Sequence, residues 1–233
     1  MKLMSKLNHK LLKLSLLLCL MPAHASQPAY APDIMEVQQD ESLWFDTALS
    51  VDWEAGATLE FWLATSWDSE REYEPVVLSM WNNDQPAMVV RIQADRKAVV
   101  IQSSQQIGTI PADLANPQLN HIALIFFDED VMLFMNGQVL GSVRLAQTPT
   151  SVNLIHIANV PDGGHAFSGA IGGLRLWDMP LAAETLVEYA LSDPLSRTAP
   201  HPDLESLVMY SQFNASTLEL TEAQVSDGES GVP

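Results

Sequence analysis

From residue 42 onward the chain alternates apolar and polar positions with the short period of β-structure. Runs at 42–45, 49–53, 58–64, 76–81, 88–92, 98–102, 121–127, 131–135, 138–143, 154–157 and 170–177 are each a few residues long. They are rich in Val, Ile, Leu and aromatics and bounded by Gly, Pro, Asn or Asp. Many short strands at regular spacing predict an antiparallel sandwich or barrel. Residues 58–63 show the period: Leu59, Phe61 and Leu63 fall on one face, Glu60 and Trp62 on the other. Asn136-Gly137, between two such runs, predicts a two-residue hairpin turn, because both turn positions need positive φ. One short helix is predicted over 180–189, with early acids and apolar residues at helical spacing. Residues 194–202 read as a linker and 207–213 as a last strand.

The ends of the chain change this picture. Lys2, Lys6, Lys10 and Lys13 precede and enter an apolar run at 11–21, and Ala23-His24-Ala25 follows as a small-x-small site. This order predicts a secretory signal over 1–25, cut before Ser26, and an exported chain, periplasmic or extracellular. The run is shorter than the roughly 20 residues needed to span a bilayer, so no transmembrane segment is expected in the mature chain. Cys19 belongs to the apolar run, because Leu18 stands where a lipoprotein site wants a small residue. Residues 26–40 are Pro-rich and polar and read as an arm, 41–214 as the sandwich, and 215–233 as an extension whose end is predicted disordered.

The whole chain has 11 basic and 29 acidic residues, a formal net charge of −18. The four signal lysines and the one cysteine leave together, so the mature chain carries 7 basic and 29 acidic residues, net −22. It then has no disulfide, thiol nucleophile or cysteine metal site. A mature chain of about 200 residues can bury an adequate core as one domain without such staples. The cations Arg71, Arg91, Arg96, Lys97, Arg144, Arg175 and Arg197 are scattered. That excludes a phosphate-tracking surface and with it nucleic acid. Anionic polymers are disfavoured on the same ground, which leaves neutral glycans, calcium and other exported proteins.

Candidate chemistry is sparse. A retaining glycosidase needs two carboxylates about 5 Å apart, which alternate positions on a strand supply. Glu70, Glu72 and Glu74 have that spacing, but they stand between Trp67-Asp68-Ser69 and Pro75, without interleaved apolar residues. They read as a solvated loop, and Asp128 to Asp130 as a turn, so no catalytic residue is assigned. His121 reads as a packed strand residue, His165 lies in a Gly-rich loop, and His156 points away from Ile155 and Ile157. None has the spacing of a zinc site.

The order of motifs resembles a known family. Ser42 to Asp46, Val51-Asp52 and Ala57 to Trp62 resemble the opening of a laminin-G-like jelly roll. Asn120 to Phe126 is similar to its central strand, Leu133 to Gln138 to its LYVNGQ hairpin, and Phe167 to Trp177 to FSGRIDEVRIW. Pro180 to Glu184 is similar to the following LSAAE helix, and Leu207 to Phe213 to the closing strand. The resemblance covers about 41–214. It implies an all-β fold, a two-sheet antiparallel β-sandwich of the concanavalin A-like superfamily, with pentraxins as relatives. That superfold carries lectins, interaction modules and some glycosidases, so it does not decide function.

Two further expectations rest on the resemblance. In pentraxins calcium lies between two loops, which fall here on Asp84-Gln85 and on 159–164, where Asp162 is the acid. A weak calcium site of Asp84, Gln85 and Asp162 is therefore the one cofactor expectation, short of the six to eight oxygens the ion takes. Trp44, Trp62 and Trp177 fall in strand motifs and read as structural. Trp67, Tyr73 and Trp81, in or beside loops, are the candidates for an exposed aromatic ligand patch. The reading is a non-catalytic, lectin-like binder of a neutral glycan. The alternatives are an assembly component of an exported complex and, third, a glycoside hydrolase.

Overall fold

A computed structural model describes residues 34–37, 43–46, 51–67, 71–83, 85–145, 149, 152–160, 165–190, 192–197 and 200–211, with only the backbone of 43–46. The strands are β1 (Ile34–Val37), β2 (Leu43–Asp46), β3 (Ala57–Thr65), β4 (Val76–Asn82), β5 (Gln85–Ile92), β6 (Ala98–Ser103) and β7 (Ile107–Pro111). They continue with β8 (Asn120–Phe127), β9 (Asp130–Met135), β10 (Gln138–Arg144), β11 (Leu154–Ile157) and β12 (Gly169–Trp177). The helix α1 (Ala183–Tyr189), a 3₁₀ turn (Leu204–Ser206) and β13 (Leu207–Ser211) close the chain. All strand pairing is antiparallel. A seven-stranded sheet runs β1-β12-β3-β8-β9-β10, with β13 also on β12, and a six-stranded sheet runs β2-β11-β4-β5-β6-β7. The expected two-sheet sandwich is therefore the observed one.

The core lies between the sheets and follows the period-2 pattern. Leu59, Phe61 and Leu63 of β3 meet Leu78, Met80, Met88, Val90, Ile92, Val99 and Ile101 from the other sheet. At one side the sheets close where β7 approaches β10: a Cβ on Gly108 would fall 2.2 Å from Val143 Cγ1. The Asn136-Gly137 turn has φ of 52° and 77°, as its sequence requires. Asn136 also accepts from the His121 N–H at 2.9 Å and donates to Asn120 Oδ1 at 2.9 Å, which ties the hairpin to β8.

Three local expectations differ from the structure. Val51 to Trp53 is not a strand: Asp52 Oδ1 accepts from the Glu54 and Ala55 N–H groups, so the segment turns, and residues 49 and 50 lie outside the described residues. Trp53 nevertheless plugs the core, edge-on to Phe126 at 4.9 Å. The arm includes β1, which pairs with β12 at Gly169 to Gly172. The short run β7, with its Gly and Pro, forms an edge strand beyond β6. The signal segment and residues 212–233 lie outside the described residues. No helix among the described residues is long and apolar enough to cross a membrane.

Candidate functional site

Strand alternation gives each sheet an outer face as well as a core face, and the two outer faces are finished differently. On the seven-stranded sheet, Leu181, Leu186 and Leu207 pack on Ile125, Phe134, Trp177 and Tyr210, with Leu204 of the 3₁₀ turn beside them. Thr58 fastens the approach to α1: its hydroxyl donates to Met179 O at 2.9 Å and accepts from the Leu181 N–H at 2.8 Å. Each such leucine removed from water contributes about 2 kcal/mol.

Under this cover lies a polar network. Glu60, 2% exposed, accepts from His121 Nε2 at 2.8 Å and from Trp177 Nε1 at 2.6 Å. Burial pushes the Glu60 carboxyl up, but the His121 hydrogen bond, the Arg175 and His121 charges and the Trp177 bond outweigh it and hold the carboxyl below its ordinary value. The ionised carboxylate only accepts, so His121 carries its proton on Nε2. Arg175 is fully buried, with its guanidinium over the Trp62 ring at 4.7 Å. It donates to Tyr189 O at 3.3 Å and Ser192 O at 2.6 Å. It thus supplies the cation that the last turn of α1 lacks. His201 stacks between Trp177 (4.2 Å) and Tyr189 (4.9 Å), and its Nδ1 accepts from the Asp203 N–H at 3.1 Å. The carboxylate and both rings are closed in, so this network fixes the cover and is no ligand site. Glu60 is the one acid among the buried described residues.

The outer face of the six-stranded sheet is built from the positions that alternate with its core. The register aligns His156, Ser79, Val89 and Gln102 in one row across β11, β4, β5 and β6. Ser79 donates to Asn159 O at 3.2 Å and accepts from Trp81 Nε1 at 2.9 Å, so the indole is held along the sheet surface. Arg91 donates to Gln102 Oε1 on the neighbouring strand. The short side chains Ser79, Val89 and Val100 are buried, while the taller Trp81, Arg91 and Gln102 are half-buried. His156 is buried, and that burial lowers its proton affinity. Both helical segments among the described residues pack on the other sheet.

The expected aromatic patch does not form as one surface. Trp67 is a core residue, 6% exposed, edge-on to Phe167 at 5.6 Å, and it donates to Ala94 O at 3.3 Å. Tyr73 is half-buried at the rim against His165, its hydroxyl accepting from Arg71 at 2.7 Å. Arg71 also donates to Ala166 O at 3.1 Å and to Ser168 Oγ, and so staples 71–75 to 165–168. Tyr73 precedes β4 and Trp81 is near its far end, on the order of 20 Å apart at the rise of a strand. Of the three, Trp81 alone lies on the outer sheet face.

The calcium expectation falls mostly outside the described residues. Asp84 and Asp162 lie outside the described residues, and Gln85 is exposed at the start of β5, opposite Asn82. The described neighbours of residue 162 lie at the other end of β4, where the Val76 N–H donates to His165 O at 2.7 Å. At the β4–β5 turn the amides satisfy one another. Asn153 Oδ1 accepts from the Asn83 N–H at 2.8 Å, Asn83 Oδ1 from Asn153 Nδ2 at 3.1 Å, and Asn82 Oδ1 from Asn83 Nδ2 at 3.1 Å. No group of three His, Cys, Asp or Glu side chains suited to a metal occurs among the described residues. Of the glycosidase candidates, Glu70 is outside the described residues, and Glu72 (exposed) and Glu74 (half-buried) precede Pro75 off any strand.

Sequence reading did not bring Ser79, Arg91, Gln102 and His156 together as one face. The signal was present: each alternates with core residues in its own run. What the runs do not reveal is the register that sets them side by side.

Comparison with known proteins agrees with this architecture. A Bacteroides ovatus structure described as a candidate carbohydrate-binding protein is similar at TM-score 0.64 and 15% identity, over 85% of this chain and 57% of that one. Domains LG4-5 of the mouse laminin alpha1 chain are similar at 0.51 and 13%, over 69% and 46%. A Ruminococcus gnavus sialidase module, CBM40, bound to α2,3-sialyllactose is similar at 0.51 and 15%, over 67% and 95%. The chain spans about half the length of the first two, and at these identities the likeness is one of fold. A search of curated protein sequences gave no significant match. The family model described as the concanavalin A-like lectin/glucanases superfamily, a laminin-G model, matches residues 39–186. With its two antiparallel sheets and most of its length inside that match, this chain belongs to the laminin-G-like group of the concanavalin A-like lectin/glucanase superfamily.

Proposed function

We propose that this chain is an exported, non-catalytic carbohydrate-binding module whose ligand lies on the outer face of the six-stranded sheet. The observation that carries the reading is the contrast of finish. One outer face is closed by α1 and the 3₁₀ turn, and the other presents an indole, a guanidinium and amide groups with no helix of the described residues packed on it. Pyranose C–H faces stack on such an indole, and the neighbouring side chains orient the hydroxyls. Structural neighbours described as carbohydrate binding support the class of ligand.

The test is a glycan array on the mature chain, followed by titration of the best ligand against Trp81→Ala and Trp67→Phe. Trp81→Ala should weaken binding roughly tenfold, about 1.4 kcal/mol. Equal affinity in wild type and Trp81→Ala removes this face as the site. A protein-interaction role is the second reading, favoured by Val139 and Val187, 57% and 54% exposed near the β9–β10 turn. An array without a hit, together with a pull-down partner lost in Val187→Asp, would select it.

A further inference from the structure

The charge of the whole chain is a poor guide to the charge of this face. Strands β4, β5, β6, β7 and β11 contain no Asp or Glu, in a chain that has 29. The acid on this sheet is Asp46 of the edge strand β2, opposite Leu154 and separated from β5 by β11 and β4. Arg91 is the permanent charge on the five strands, opposite Val76 on one side and Val100 on the other.

Arg91 donates from Nη1 to the Gln102 amide oxygen, and no carboxylate among the described residues lies within ion-pair distance of it. A guanidinium has five N–H donors in a planar fork that matches a carboxylate. An amide neighbour orients that fork without neutralising it. His156, on the same face and buried, has an Nδ1 with no hydrogen-bond partner among the described residues. Polar capacity is thus left open at two places on one face, and the charged one is a cation.

We infer that the glycan taken by this face carries a carboxylate, on a uronic or sialic acid residue, and that Arg91 is its counter-ion. The inference rests on the outer face being the glycan site. The acids elsewhere set its form. Beyond about 8 Å the surrounding charge is largely screened at physiological salt, so one carboxylate at contact feels Arg91. A long polyanion would run on over the acidic loops and be repelled. The ligand is therefore a chain with a single anionic residue and a neutral remainder lying toward Trp81.

The experiment is an array of oligosaccharides ending in one glucuronic or sialic acid, each printed beside its methyl ester and its neutral parent. Wild type should bind acids over their esters by roughly tenfold or more. Arg91→Gln should bind acid and ester alike, at the ester's affinity, with an unchanged melting temperature as the check on folding. Raising the salt should weaken acid binding and leave ester binding alone. Esters binding as well as acids overturns the inference. If that ester binding is lost in Trp81→Ala, the face remains the glycan site and only the counter-ion role of Arg91 fails. No binding to any member overturns both.

Discussion

The outer face of the seven-stranded sheet and that of the six-stranded sheet both carry aromatic, basic and histidine side chains, but the chemistry is spent differently. On the first, the buried charged groups are bound inside the molecule: Glu60 by His121 and Trp177, Arg175 by the carbonyls of Tyr189 and Ser192. On the second, Arg91 has an amide for a neighbour and Trp81 lies across Ser79. A buried carboxylate beside a buried guanidinium is worth keeping only when every partner stays in place, so the first face holds the fold together. On the second, no helical segment among the described residues packs over these side chains. Residue type alone would not have told the two apart.

The sharpest way to break this comparison is Glu60→Ala. It leaves Arg175, His121 and the Trp177 N–H buried around a cavity. The expected loss is about 3–5 kcal/mol, a fall in melting temperature on the order of 10 °C. A change of a degree or two by calorimetry would show that the network is not what fixes the cover. Leu186→Ala removes one anchor of α1 and should cost about 2–4 kcal/mol, read as a shift in urea midpoint. An unchanged midpoint would mean that α1 is dispensable.

Acid should loosen the covered face before the open one. Burial holds His201 below the ordinary imidazole value of 6.5, with Arg175 adding to the effect and Glu60 and Asp203 opposing it. Its neutral Nδ1 accepts a backbone N–H, which the protonated ring cannot do. The unfolded chain takes up its proton first as pH falls through 6.5, so stability drops on going from pH 7.5 toward the folded value. His156 has the same sign, and its Nδ1 has no hydrogen-bond partner among the described residues to lose. The lowered Glu60 acts in a separate, lower window: its contribution is present above the ordinary carboxylate value of 4.5 and is lost as pH falls through the folded one. Melting curves from pH 7.5 to 5.5 should therefore slope less in His201→Asn than in His156→Asn. Equal slopes would refute the assignment. The smallest effect is expected from Trp81→Ala on stability, within about 1 kcal/mol, because a half-buried surface indole leaves no core cavity. A larger loss would make Trp81 part of the fold rather than of a site.

Most of the strands were legible because alternation is local: β3, β8, β9, β10 and β12 show it in their own residues. Misreadings came where local pattern and partner disagreed. Val51 and Trp53 alternate like a strand, but Asp52 between them caps a turn. Residues 34–37 looked like a polar arm because β1 is four residues long and exists by pairing with β12, far away in sequence. Trp67, between Ser66 and Asp68, read as surface because its ring partner is Phe167. The candidate face failed for the same reason. Ser79, Arg91, Gln102 and His156 become neighbours through register, and register is not written in any one run.

The position of β12 bears on how the chain acquires its shape. It is a late strand, yet it joins β1 and β13 on one side to β3 on the other. In the other sheet β11 joins β2 to β4. Both N-terminal strands therefore wait with open edges until more than a hundred further residues are available. Pairing of such separated segments loses loop entropy before it gains contacts, which slows the search. Refolding by stopped-flow fluorescence should accordingly run over roughly milliseconds to seconds or longer, as expected of sandwiches dominated by non-local pairs. A chain cut short of Leu154 would keep β1 to β10 and lose β11 and β12, the two strands that bind its beginning to its end.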